Sequence, residues 1–266
     1  MSLKIRYEES CCFLEFDHGK ANEMGRAELD ALEALSEALI ENETRCLISY
    51  SRRLSSRGTP IFISGANVTE REGWSDQEIR AHVRRQRDCL ARIRQLPLFH
   101  LTLVNGVAFG WGCEWLLTAD YRLGTAQARF ALPETGLGII PGAGGSVELA
   151  GLIGLPQALR LAITGETIDV AEALRIGLIQ ERVEDVEAGL QRAAALAAMV
   201  EKKSPTSIGA LKWAALAAMG EPEPTRRAIE AVAYERCLES GDAAIGRAYF
   251  AEIRRGERPP WGPLSR

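Results

Sequence analysis

The chain is short of histidine, has no paired cysteine motif and carries no basic excess. Its three histidines, His18, His82 and His100, are scattered among 266 residues without an H-E-x-x-H spacing. A histidine-centred metal site or a Ser-His-Asp triad therefore has no local support, and no metal is expected. The six cysteines, Cys11, Cys12, Cys46, Cys89, Cys113 and Cys237, form no C-x-x-C pair and no zinc spacing. Most sit in apolar surroundings, where a free thiol packs as a small hydrophobe, so a reducing cytoplasm is the expected compartment. The formal net charge is −4, whereas a general nucleic-acid binder needs a basic footprint. No apolar run approaches the ~20 residues that span a bilayer. Residues 1–9 alternate charged with apolar side chains in place of a signal-peptide core. Neither nucleic acid nor membrane is expected as a partner.

Glycine is plentiful, but the nucleotide loops it often builds are missing. Gly136-Leu137-Gly138-Ile139-Ile140-Pro141 starts like G-x-G-x-x-G and then has proline where the third glycine belongs. Gly142-Ala143-Gly144-Gly145-Ser146 lacks the Gly-Lys-Ser/Thr of a P-loop, and Glu148 rules out a G-x-S-x-G elbow at Ser146.

What the chain does have is an alternation of strand and helix patterns. Residues 4–7 and 11–16 read as two short strands. Residues 25–41 carry Leu29, Leu32, Leu35 and Leu39 at helical spacing, mainly opposite acidic residues. Residues 46–50, 61–64, 101–105, 121–124 and 129–132 read as further strands. Residues 75–94 form an arginine-rich helix, and 112–119 a helix that follows a glycine cluster. The pattern predicts an α/β core with crossover connections. After Gly145 it turns helical apart from a strand at 178–183, and the alanine-rich stretches 192–200 and 210–219 are strong helix formers. Pro222 and Pro224 break the run before a last helical pair, and 259–263 reads as a tail. A core over 1–200 and a helical C-terminal region over 201–266 are expected, the latter folding back or packing on other subunits.

Three segments combine into a candidate site. Phe62-Ile63-Ser64-Gly65-Ala66-Asn67-Val68 is a buried strand ending at a glycine and small residues. Asn105-Gly106-Val107-Ala108-Phe109-Gly110-Trp111-Gly112-Cys113-Glu114 passes through a glycine-bracketed turn into a helix start, where free N–H groups favour negative charge. The third is Phe130-Ala131-Leu132-Pro133-Glu134, followed by the Pro141–Gly145 bend. Two glycine-flanked turns can offer two N–H donors to one oxygen, which is the physical recipe for an oxyanion hole. Glu114 and Glu134 lie beside those turns and can hold a water between a base and an acid. If both are buried together they cannot both ionise freely. Together these features predict an oxyanion hole flanked by two carboxyls.

In these segments the sequence resembles the enoyl-CoA hydratase/isomerase family, the crotonase superfamily. Lys20-Ala21-Asn22, Ser64-Gly65-Ala66-Asn67, Gly110-Trp111-Gly112-Cys113-Glu114, Pro133-Glu134 and Pro141-Gly142-Ala143-Gly144-Gly145 match its motifs in order, as do Thr164-Gly165-Glu166 and Gly177-Leu178-Ile179. The resemblance implies an α/β crotonase-like spiral of ββα units with a helical C-terminal part used for trimer assembly, trimers pairing into hexamers. It implies that the backbone N–H groups of Ala66 and Trp111 bind the thioester oxygen. It also implies that Glu114 activates water with Glu134, and that Glu134 delivers the proton to the α-carbon. Lys20, Ala21, Ser64, Gly65, Asn67, Gly110, Gly112, Pro133 and Gly142 are the matching substrate-binding positions, with Lys20 near the CoA entrance and Ser64 near the adenine. The implied activity is reversible hydration of a 2-enoyl-CoA to a 3-hydroxyacyl-CoA, without metal or redox cofactor, CoA being part of the substrate. Acyl-carrier protein is the alternative handle. An isomerase, decarboxylase or hydrolase on the same scaffold, or a non-catalytic acyl-CoA-binding trimer, are the alternative functions. The chain departs from the family at Trp111, where a very small residue is usual; its ring has the acyl pocket or the core as its two destinations. Asn67 replaces the usual aspartate. The loop carrying Arg52, Arg53 and Arg57 is long and basic, reaching either solvent or CoA phosphates.

Overall fold

The computed structural model describes residues 3–265; Met1, Ser2 and Arg266, at the outer ends of the two expected regions, lie outside the described residues. The strands read at the start form a hairpin. β1 (Leu3–Glu8) runs antiparallel to β2 (Cys11–Phe16), with Leu3 opposite Phe16. α1 (Arg26–Glu41) then buries the Leu29, Leu32, Leu35, Leu39 stripe.

From there the chain repeats one unit. β3 (Cys46–Ser51) is followed by β4 (Ile61–Ile63) and α2 (Asp76–Arg94), β5 (Phe99–Val104) by β6 (Val107–Phe109) and α3 (Trp111–Leu116), and β7 (Tyr121–Thr125) by β8 (Arg129–Ala131). The remainder comprises α4 (Gly145–Ile153), α5 (Leu155–Thr164), β9 (Ile168–Asp169), α6 (Val170–Arg175), β10 (Glu181–Val183), α7 (Val186–Glu201), α8 (Pro205–Ala217), α9 (Glu223–Glu239), α10 (Asp242–Ala248) and α11 (Phe250–Arg254). In each unit the first strand joins a six-stranded sheet of order β1-β2-β3-β5-β7-β10, and the second joins a four-stranded sheet of order β4-β6-β8-β9. The chain thus winds as a spiral of ββα units, depositing one strand per turn in each sheet.

The alternation along β2 shows how the layers are held. Cys12, Leu14 and Phe16 enter the core shared with Phe62, Ala108 and Phe130 of the second sheet. Cys11 and Phe13 face the other way, into a cluster closed by Ala193 and Ala197 of α7. Burying both faces explains why β3 is buried throughout rather than alternating between buried and exposed residues. Each fully buried Leu or Phe contributes about 1.5–3 kcal/mol before chain entropy is subtracted.

Several elements differ from expectation. β6 and β9 were not legible as strands, because three and two residues carry no period of their own; β4 and β8 supply their partners. The strand expected at 178–183 pairs only over Glu181–Val183, since the Leu178 and Ile179 N–H groups close the end of α6 on Ala173 O. α3 starts one residue earlier and ends three residues sooner than expected. The last helical pair is three helices, α9 to α11; Pro222 caps α9 and Pro224 sits in its first turn, where a missing N–H breaks no bond. The 259–263 tail is non-helical but tied down: Trp261 Nε1 donates to Lys202 O at 2.9 Å and Gly262 N to Asp242 Oδ1 at 2.9 Å. The division expected at 200/201 falls at the end of α7. Among the described residues no helix is long and apolar enough to cross a membrane.

Candidate active site

The site lies at the carboxyl edge of the second sheet, the edge of a parallel sheet where ligands usually bind. β4, β6 and β8 run parallel, with Ile63 opposite Ala108 and Ala108 opposite Phe130. Ala66 follows Ile63 at the same offset as Trp111 follows Ala108, so the register delivers both residues at one level. Glu134 leaves the end of β8 one position further along.

The turns free the two N–H groups. Ser64 N donates to Ala21 O at 3.1 Å and Asn67 N to Met24 O at 2.8 Å, while Gly65 O accepts from Met24 N at 2.9 Å. These bonds peg the loop on both sides of Ala66, whose own N–H has no acceptor among the described residues. On the neighbouring strand Gly110 N donates to Ala131 O at 2.9 Å. Gly110 has φ +50° and ψ −115°, a conformation that L side chains rarely adopt, and it turns the chain so that Trp111 N also lacks an acceptor. α3 is too short to act through its dipole, so the donors are individual amides.

The two carboxylates converge from different elements. Glu114, only 4% exposed, accepts the N–H groups of Ala143 at 2.6 Å and Gly145 at 3.0 Å on one oxygen, Oε1. Glu134 lies against Gly110, and its Oε2 is buried without a partner. A cavity of about 430 Å³ opens beside Glu114, walled by Leu90, Ala91, Leu117, Pro141, Ala143 and Val147.

The family model of enoyl-CoA hydratase/isomerase matches residues 30–262. The chain belongs to the enoyl-CoA hydratase/isomerase family. It is 32% identical over 218 residues to the short-chain-enoyl-CoA hydratase of Clostridium acetobutylicum, covering 82% of either chain. It is 31% identical over 202 residues to the crotonyl-CoA hydratase of Syntrophomonas wolfei, covering 76% of this chain and 77% of that one. The crystal structure of enoyl-CoA hydratase from Bacillus anthracis matches with a TM-score of 0.88 at 28% identity, covering 98% of this chain and 99% of that one.

Within this family framework, electrostatics separates the glutamates from ordinary acids. Burial pushes the Glu114 carboxyl up to about 7; the Ala143 and Gly145 N–H bonds act against that shift, and the neighbouring Glu134 charge adds to it. Burial also raises Glu134. The nearby Cys113 thiol is raised by burial as well and is inert as a nucleophile.

The other expected positions divide by what they touch. Trp111 is 2% exposed and stacks on Trp115 with ring centroids 5.8 Å apart, so its indole takes the core and not the acyl pocket. Gly112 lies against Ile63: a Cβ there would stand 2.3 Å from Ile63 O, so this glycine serves the approach of α3 to β4 rather than facing a ligand. Gly142 lies in the cavity wall, with its carbonyl bound by Arg87 Nε at 3.0 Å. The Asn67 side chain accepts from Thr69 Oγ1 at 2.8 Å and Glu70 N at 3.2 Å, capping the next turn. Lys20 and Pro133 are exposed at the surface, and Gly65, at φ +132°, approaches Phe109 O. Ala21 and Ser64 join the first turn to the oxyanion loop through the bond already given. Arg53 binds Asp17 at 2.8 Å and Arg52 binds Glu187 at 2.9 Å, so both are taken by the protein itself.

Sequence reasoning missed the amides of Ala143 and Gly145 as holders of Glu114. The Pro141–Gly145 run was the signal: a Cβ on Gly145 would stand 2.5 Å from Pro141 Cβ and 3.2 Å from Glu114 Oε1.

Proposed function

We infer that this protein is an enoyl-CoA hydratase, adding water reversibly across the double bond of a 2-enoyl-CoA to give the 3-hydroxyacyl-CoA. The observation that carries the reading is the delivery of two unpaired amides and two desolvated carboxyls by adjacent turns. In the proposed mechanism the thioester oxygen accepts the Ala66 and Trp111 N–H groups. Glu114 as carboxylate takes a proton from water, and the hydroxide oxygen bonds to the β-carbon. The α,β π-electrons move toward the carbonyl, and the enolate oxygen is held by the two amides. Glu134 then gives its proton to the α-carbon. The carboxyls end with exchanged protonation, which water reverses. A base poised near neutrality and an acid whose carboxyl burial raises suit these roles. The reaction consumes only the thioester and water, so no cofactor enters it.

CoA is the proposed handle and acyl-carrier protein the alternative. We also propose that the 201–266 region builds a homotrimer, paired into hexamers, around the 1–200 core; exposed Leu211, Tyr234, Val147 and Phe250 support burial in an assembly. Light scattering reads that state. Cytoplasmic placement is supported by six free cysteines, five of them buried.

The test is loss of enoyl-thioester absorbance on adding the protein to crotonyl-CoA and longer 2-enoyl-CoAs, with product identification. The 3-hydroxyacyl-CoA is expected. A shifted double bond would make the protein an isomerase, and binding without turnover would make it an acyl-CoA binder.

A further inference from the structure

We infer that the acyl group of the substrate carries a carboxylate at its far end, received by Arg71 and Gln86 beside the oxyanion loop. The inference rests on the hydratase reading for the position of the thioester.

Arg71 closes the 3-10 turn Thr69–Arg71, which leaves the oxyanion loop directly. Asn67 caps that turn and its own N–H is pegged to Met24 O, so Arg71 is placed rigidly relative to Ala66. The guanidinium is partly buried. Its Nη2 donates to Gln86 Oε1 at 3.4 Å, and its Nε is buried with no acceptor among the described residues. Gln86, on α2, is 3% exposed, and its Nε2 is likewise buried with no acceptor. The amide orientation follows from charge: Oε1 faces the cation, which leaves Nε2 as a second unused donor. Two idle donors on adjoining side chains, one of them charged, are what a carboxylate satisfies and what an apolar tail leaves unpaired.

The surrounding charges are already committed. Glu70 is bound by Arg26 through N at 3.0 Å and Nε at 2.9 Å. Arg85 is bound by Glu33 at 2.8 Å through Nε and by Asp30. His82, edge-on to Trp74 at 5.1 Å, is pushed toward its neutral form by burial and by Arg71. No carboxylate pairs with Arg71 among the described residues, and burial holds its pKa below the usual arginine value. A desolvated, unpaired guanidinium is unfavourable, and an incoming carboxylate removes that cost.

Gln86 lies on the helix that borders the reacting end. Val83, one turn before Gln86, has Cγ1 3.0 Å from the Cβ position of Gly142. The following residue, Ala143, holds Glu114. We take an acyl chain fixed at the Ala66 and Trp111 amides to run past this helix.

The test compares two series of 2-enoyl-CoAs, of about five to eight carbons, ending in a carboxylate or in a methyl group. The wild type is expected to prefer the carboxylate member of at least one length by about 30-fold or more in kcat/KM, the lower range for a buried charge pair. Arg71→Met should abolish that preference while changing kcat/KM for the methyl series less than about 3-fold, which also shows that the variant folds. Gln86→Leu should weaken it less, and Arg71→Lys should keep part of it as a point charge. Equal or better use of the methyl series at every length overturns the inference, as does an equal effect of Arg71→Met on both series. If neither series is hydrated, the hydratase reading fails by itself. Calorimetry with saturated ω-carboxyl and ω-methyl acyl-CoAs then decides: a carboxylate preference lost in Arg71→Met supports the inference, and equal binding overturns it.

Discussion

The carboxylate of Glu134 occupies the space that a side chain on Gly110 would fill, with Oε1 2.7 Å from the Cβ position. Gly110 therefore has two structural effects: its φ of +50° turns the Trp111 amide outward, and its missing Cβ makes room for the Glu134 carboxyl. Gly110→Ala is expected to lower kcat by about 100-fold, the usual contribution of an acid–base group. It should cost about 1–3 kcal/mol of stability through backbone strain. Steady-state kinetics beside a urea melt checks both, and an alanine variant with wild-type turnover would refute the seat proposed for Glu134.

Replacing either carboxyl tests the division of labour. Glu114→Gln and Glu134→Gln should each reduce kcat on crotonyl-CoA by about 100-fold or more. The double variant should fall by less than the product of the single losses, because the two act on one water as a unit. Full activity in both single variants would end the assignment.

The pH dependence follows from the upward shift of Glu114. Its carboxyl sits at about 7 in the folded protein, against an ordinary 4.5. The stability linked to this group is complete below pH 4.5 and is lost as pH rises through about 7. The loss should be on the order of a few kcal/mol. Denaturant midpoints measured from pH 4 to 8 should show the decline in the wild type and a flatter profile in Glu114→Gln. The kcat/KM profile should rise through the same region, as the base ionises; a rise centred near pH 4.5 would contradict the burial argument.

The indole of Trp111 is a packing element, and the proposed function uses only its backbone amide. Trp111→Phe keeps the amide, keeps much of the stacking on Trp115 and removes a buried Nε1 that has no partner. It should retain turnover within a few-fold and lose little stability. Trp111→Gly empties the same volume and should cost about 3–5 kcal/mol. A large kinetic defect in a stable phenylalanine variant would place the ring at the substrate.

Gly112 is needed for contact between α3 and β4. Gly112→Ala would put a Cβ 2.3 Å from Ile63 O, a backbone atom that cannot rotate away. A loss of about 3 kcal/mol, at the upper end of ordinary overpacking, is expected from its urea midpoint. An unchanged midpoint would return Gly112 to the ligand side.

Much of this molecule was legible one residue at a time. The leucine stripe of α1, the β-forming run of β3 and the glycine-flanked turns at Ser64–Asn67 and Gly110–Glu114 announce themselves by period and composition, because helix, strand and turn depend on neighbouring residues. Other features belong to pairs distant in the chain. β6 and β9 exist only because β4 and β8 stand beside them. The ring of Trp111 found the core because Trp115 and the packed sheets made an apolar place for it. Glu114 was raised toward neutrality by burial, against the pull of the Ala143 and Gly145 amides that meet it across about thirty residues of chain. Arg52 and Arg53 were claimed by Glu187 and Asp17, whereas Arg71 was left with an amide alone. Local pattern selects elements, but desolvation and hydrogen-bond partners are set by whatever the folded chain brings alongside, and those two terms decide which side chains can react.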